Sequence, residues 1–249
     1  FTPLSHAQTN LIVGSNSSGV TTDFTSGTNT YTNTYVGITN SFTNNTLGVY
    51  NAGTLLTNSS SLIVGSDSSG NSLVISNGGK VASGIGYIGF GNTSTASNNA
   101  VLVTGAESVW TNSGNLTVGN NGSGNSLVIS NGGTVQSSFL VLGGSPDSDV
   151  PSTNSSNNSV LVTGEGSAWN GSVILVGFSG SGNSMVISNG GTVANADGVI
   201  GYLDTASNNS VLVTDGGTWT NSGELYVGGF GNSNSLIISN GGTVASGIG

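Results

Sequence analysis

The sequence predicts an all-β protein, a parallel β-helix (β-solenoid) with coils of about 25 residues, and three observations carry that prediction. Short aliphatic bursts such as Ser72-Leu73-Val74-Ile75-Ser76 stand between clusters of Asn, Gly and Ser, the pattern of strands separated by turns. Bursts begin at Leu47, Leu73, Val101, Leu127, Val160, Met185, Val211 and Leu236, at intervals of 26, 28, 26, 33, 25, 26 and 25 residues. A second motif, apolar-x-apolar-Gly, ends at Gly65, Gly89, Gly119, Gly143, Gly177, Gly201 and Gly228. Both series span 163 residues, Leu73 to Leu236 and Gly65 to Gly228, so the motifs stay in phase through every change of interval.

A period of this size fits one coil carrying two or three strands, and is too short for a propeller blade. Nine or ten coils rising about 4.8 Å each give a rod of about 45 Å. Each coil is then stabilised mainly by its neighbours. A right-handed coil is expected, because parallel crossovers favour that hand.

Along the chain, residues 1–46 form irregular N-terminal coils in which Leu11-Ile12-Val13-Gly14 and Tyr35-Val36-Gly37 still match the second motif. Residues 47–249 form the regular repeats, with an insertion at about 144–157 inside the 33-residue interval. Two coil types alternate: Asn-Ser-Leu-Val-Ile-Ser-Asn-Gly-Gly, starting at Asn71 and Asn125 and, with Met185 for Leu, at Asn183; and Val-Leu-Val-Thr followed by Trp110, Trp169 or Trp219. The last residues, Asn240 to Gly249, repeat Asn77 to Gly86 except for Thr243 in place of Lys80, so the sequence stops at a repeat junction. That predicts either a longer solenoid or head-to-tail contact with another copy, since exposed strand edges recruit strands.

Composition narrows the function. Charged residues are 4% of the chain and the net charge is −9, with Lys80 the only Lys or Arg. Phosphate backbones are bound by Lys and Arg, so nucleic acid is excluded as a partner. No run of 18 apolar residues marks a transmembrane segment. Catalysis by a β-helix on acidic polysaccharide needs clustered carboxylates with basic groups to hold substrate. Here Asp23, Asp67, Glu107, Glu165, Asp197, Asp204, Asp215 and Glu224 are scattered singly, and His6 stands alone in the leading segment. No enzyme is expected.

The paired pattern Val-Leu-Val-Thr…Trp-Thr-Asn-Ser-Gly-x-Leu-x-Val-Gly…Asn-Ser-Leu-Val-Ile-Ser-Asn-Gly-Gly-Thr-Val resembles the T5SS/PEP-CTERM-associated repeats of bacterial autotransporter-like surface proteins, over roughly Leu47 to Gly249. The resemblance implies secretion, a β-helical passenger and a place at the bacterial cell surface or in the extracellular matrix. It supplies no catalytic residues.

Three sets of residues are candidates for more than scaffolding. Asn77, Asn131, Asn189 and Asn240, each followed by Gly, form a turn ladder, since Asn-Gly supplies the positive φ of a tight turn. Trp110, Trp169 and Trp219 recur in alternate coils; exposed, they would form a glycan contact, and buried, they would fill a corner, which is the favoured placement. Asp147 and Asp149 are the one candidate for a metal, Ca²⁺, as Asp-x-Asp on a loop, though the spaced Gly and Glu of a full calcium loop are missing. No other cofactor is expected. The function expected is an extracellular structural rod, as surface stalk or head-to-tail filament in a matrix or biofilm. The alternative is an adhesin that holds cell-surface glycans on Thr, Asn or Trp faces. A third class, ice binding, wants a regular Thr lattice, and Thr104, Thr163 and Thr214 recur only in alternate coils.

Overall fold

The computed structural model describes residues 8–91, 95–146 and 154–248. These residues form twenty-five strands, all paired in parallel, and no helix. Each regular coil runs through three strands and returns one layer up, so the strands line three long faces. The first face is a nine-stranded sheet: Thr21–Phe24, Thr46–Tyr50, Ser72–Ser76, Ala100–Thr104, Ser126–Ser130, Ser159–Thr163, Ser184–Ser188, Ser210–Val213 and Ser235–Ile238.

The second face holds Leu55–Asn58, Lys80–Ser83, Val109–Asn112, Thr134–Gln136, Ala168–Asn170, Thr192–Asn195 and Thr243–Ile248. The third holds Gln8–Val13, Ser61–Ser66, Ile85–Phe90, Leu116–Val118, Phe139–Leu142, Val173–Val176 and Asp197–Ile200. Two long strands, Thr28–Val36 and Thr218–Val227, turn the corner and belong to both, which joins the two faces into one sixteen-stranded sheet. Residues 8–46 thus add their strands to the same stack as the regular repeats.

The register is the one the spacing requires. Leu47, Leu73, Val101, Leu127, Val160, Met185, Val211 and Leu236 pair one above the next without a slip. Alternation in each strand sends the first and third aliphatic residues of a burst inward. Leu73 and Ile75, Val101 and Val103, Leu127 and Ile129 are therefore buried in one continuous apolar bore. A slip of one residue would expose the whole set, which fixes the register.

The 33-residue interval costs nothing in this register: Leu127 still pairs with Val160. Its extra residues fall in sequence between Phe139–Leu142 of the third face and Ser159–Thr163 of the first. Backbone bonds between coils continue around the corners, as where Gly119 N donates to Ile88 O at 2.7 Å and Ser72 N to Asn45 O at 2.7 Å.

Candidate functional site

The Asn-Gly pairs found from sequence lie at the corner between the first and second faces. Asn77, Asn131, Asn189 and Asn240 have φ of 53°, 51°, 50° and 44°, and Gly78, Gly132, Gly190 and Gly241 are also positive. Successive positive φ values are the geometry of a primed tight turn. Asn131 and Asn189 are exposed at their side chains and donate to the hydroxyls of Thr104 and Thr163 in the coil below, at 3.1 and 3.0 Å.

A second asparagine ladder, not singled out by sequence reasoning, runs inside the corner between the third and first faces. Asn45, Asn71, Asn99, Asn125, Asn158, Asn183, Asn209 and Asn234 each stand two residues before a burst. Asn71 Nδ2 donates to Asn99 Oδ1 at 3.0 Å, Asn99 to Asn125 at 3.0 Å, Asn125 to Asn158 at 3.0 Å and Asn158 to Asn183 at 3.0 Å. The same oxygens accept a backbone bond as well, Asn99 N to Asn125 Oδ1 and Asn125 N to Asn158 Oδ1, both at 2.9 Å. Each amide therefore satisfies a buried backbone N–H where the chain bends and no strand partner is available.

This ladder explains the glycine of the second motif. Gly65, Gly89, Gly119, Gly143 and Gly177 all have positive φ, and a Cβ on any of them would meet a ladder amide of a coil above. At Gly119, φ is 76° and the added carbon would sit 2.2 Å from Asn158 Nδ2. Gly119→Ala is expected to destabilise the fold by about 3 kcal/mol, from left-handed strain and a displaced amide. A urea unfolding midpoint unchanged from the parent would contradict that.

The tryptophans face inward. Trp110, Trp169 and Trp219 are each 0% exposed, so the packing placement holds and no outward row of rings offers a glycan contact. They alternate with valine along the second face: Val81, Trp110, Val135, Trp169, Val193 and Trp219 pair in sequence. Each indole N–H donates to a polar side chain in the coil below, Ser83 Oγ at 3.2 Å, Ser137 Oγ at 3.2 Å and Asn195 Oδ1 at 2.7 Å. Gly86 and Gly198 make room for two of the rings; a Cβ there would come within 2.8 Å of Trp110 and 2.9 Å of Trp219.

Acidic groups are scattered, except that Asp197 and Glu224 are neighbours in adjacent coils. Glu107, Glu165 and Asp215 occupy the corner between the first and second faces in alternate coils, about 10 Å from one another at two coil rises. Asp197 Oδ1 accepts from the backbone N–H of Glu224 at 2.9 Å, and the Glu224 carboxylate accepts from the Tyr226 hydroxyl at 2.6 Å. That hydrogen bond, and then the negative charge of Glu224, push the Tyr226 hydroxyl above the ordinary phenol value. Burial, followed by the charge of Asp23, does the same for Tyr50. Among the described residues no three acidic or His side chains gather as a metal site. Asp147, Asp149 and His6 lie outside the described residues. A shallow depression of about 450 Å³ at the corner of the second and third faces is lined by small neutral residues, among them Asn170, Ala194, Asn195 and Thr220.

Outside, the faces differ. The second carries small and polar side chains such as Thr134, Gln136, Asn170 and Thr192. On the third face the outward row runs Ile63, Tyr87, Thr117, Val141, Leu175, Val199 and Tyr226, of which Ile63, Thr117, Val141 and Leu175 are buried, Tyr87 and Val199 half-buried and Tyr226 exposed. Tyr87 of this row packs against Phe90 at 4.7 Å, and Phe178 stacks on Tyr202 at 5.3 Å. The first face presents the middle residue of every burst: Val74, Leu102, Val128, Leu161, Val186, Leu212 and Ile237 stand in register, outside the core and partly open to solvent. The burst pattern alone does not mark this row, since three consecutive aliphatic residues look alike in sequence.

Among described residues no helix is long and apolar enough to cross a membrane. Comparisons with protein-family models, curated proteins and solved structures find no match to the chain.

Proposed function

We propose that the protein is a non-catalytic structural rod that works outside the cell, as a stalk or as a unit of a head-to-tail filament. The observation that carries this reading is the uninterrupted stacking of nine first-face strands, each sealed to the next by backbone bonds, aliphatic contact and the asparagine ladder. Such a stack resists bending because any kink would break several buried bonds at once. The final coil leaves Ile238 and Val227, whose register positions face the bore, about half exposed. Another coil of like sequence fits on them, whether it comes from the same polypeptide or from a second copy. The extracellular location rests on the low charge, the abundance of Ser, Thr and Asn, and the resemblance to secreted repeats.

A catalytic role has little support in the arrangement of side chains. Glu107, Glu165 and Asp215 recur two coils apart, about 10 Å of rise, and the closer pair, Asp197 and Glu224 in adjacent coils, is exposed and accepts from a backbone N–H and from the Tyr226 hydroxyl.

Negative-stain electron microscopy of concentrated protein tests the reading. Short rods and end-to-end filaments with a repeat near 43 Å, nine coils at about 4.8 Å, are expected. Uniformly compact, separate globules would rule it out.

A further inference from the structure

We propose that the first face is a lateral interface, on which a second copy of this chain packs antiparallel and face to face. It requires the coil geometry alone and stands whether the rod is a stalk or a filament. The outward row alternates by coil type between short and long aliphatic residues: Val74, Leu102, Val128, Leu161, Val186, Leu212. An alternating row is its own complement. Turned about a twofold axis that lies in the plane of the interface, perpendicular to the rod, it sets Val74 against Leu212, Leu102 against Val186 and Val128 against Leu161. Every long side chain then meets a short one, the condition for interdigitated packing between sheets about 10 Å apart. A twofold contact of this kind closes at two copies.

The flanking rows suit the same occupant. They are Ser, Thr and Ala apart from Tyr50 in the first of the eight strands, and their hydroxyls already bond along the stack: Ser130 to Thr104 at 2.9 Å and Ser188 to Thr163 at 3.0 Å. Covering them leaves few polar groups without partners, which is what makes burial of a polar surface tolerable. From Thr46–Tyr50 to Ser235–Ile238 the strands of this face contain no charged residue, although the chain carries a net charge of −9. The one charge on the face, Asp23, lies in the strand beyond that span.

The area is sufficient. Eight strands about 4.8 Å apart and five residues wide at about 3.3 Å give about 630 Å² per copy and about 1,250 Å² for the pair, inside the range of specific stable interfaces. The third face does not serve in the same way: its outward row, from Ile63 through Tyr87 and Val141 to Tyr226, lacks the short–long alternation, and its middle is already covered, with Val141 at 0% exposure.

Sedimentation equilibrium tests the pairing, in an Ile238→Lys background that blocks end-to-end contact at the exposed terminal coil and leaves the outward row intact. The background protein is expected at twice the 24.4 kDa chain mass. Adding Leu102→Lys and Leu161→Lys should weaken association by at least ~30-fold, since each places unpaired charge at the centre of the interface. Circular dichroism should show the β signal unchanged, the two positions being outside the bore. A monomer in the background protein, or an unweakened dimer in the lysine variant, overturns the proposal.

A second measurement avoids charge altogether. The chain has no cysteine, so separately made Val128→Cys and Leu161→Cys proteins can be mixed and oxidised with oxidised glutathione. The mixed disulfide is expected to exceed either homodimer severalfold. A mixed species no more than about twice either homodimer, the ratio that random pairing gives, overturns the register.

Discussion

Asn125→Ala is expected to lower the unfolding free energy by about 4 kcal/mol, among the largest effects of any single side-chain truncation in the stack. The alanine removes an oxygen that accepts from both Asn99 N and Asn99 Nδ2, and an amide that donates to Asn158 Oδ1. All three asparagines are buried, so water cannot replace what is lost. An orphaned buried N–H costs about 1–3 kcal/mol and each further bond about 1 kcal/mol. Hydrogen exchange gives the sharper test: protection of the Asn99 amide should fall by at least ~100-fold relative to amides two coils away, which corresponds to about 3 kcal/mol of local opening.

The control is an asparagine of the outer ladder. Asn131→Gly keeps the left-handed turn and removes one exposed bond to Thr104, so its cost should stay below about 1 kcal/mol. Equal costs for Asn125→Ala and Asn131→Gly would mean that the inner ladder does not hold the coils together.

Trp169→Ala is expected to cost about 4 kcal/mol, chiefly from the cavity left between Val135 and Val193 in the coils on either side. The hydroxyl of Ser137 also loses its donor. Trp169→Phe separates the two contributions. It fills most of the volume and forfeits only the indole bond, so it should cost about 1–2 kcal/mol. Calorimetric or urea unfolding of both variants checks the ratio; a Phe variant as unstable as the Ala variant would place the main effect in the hydrogen bond. The same geometry accounts for the alternation of coil types. An indole in one coil needs a smaller residue and a hydrogen-bond acceptor in the next, which is what Val81 with Ser83, Val135 with Ser137 and Val193 with Asn195 provide.

Much of this architecture was legible because period and register are one-dimensional properties. Residues that recur every 25 or so positions in a solenoid must stack, so Leu73 over Val101 over Leu127 could be placed before any coordinates. The outer turns were legible for a local reason, since Asn-Gly between strands is suited to the positive φ of a tight turn. The inner ladder was less so, although it left a signal: an Asn stands two residues before the burst in each of eight coils, whereas Asn-Gly recurs only in alternate ones. A polar residue that keeps a fixed offset in every coil, regardless of coil type, marks a stack rather than a turn.

By itself, then, the order of residues determined the class of fold, the coil length, the strand register and the turns, because each follows from short-range sterics and from the periodic burial of Val, Leu and Ile. Which way a side chain points depends on how three faces close around a bore, and that is a property of the folded coil. Only the tertiary structure put the tryptophans inside, gave the Val-Gly glycines their role beneath the ladder amides, and turned Val74, Leu102 and their equivalents outward. Pleating sends neighbouring residues to opposite sides of a sheet, so in a run of three aliphatic residues one must face away from the core.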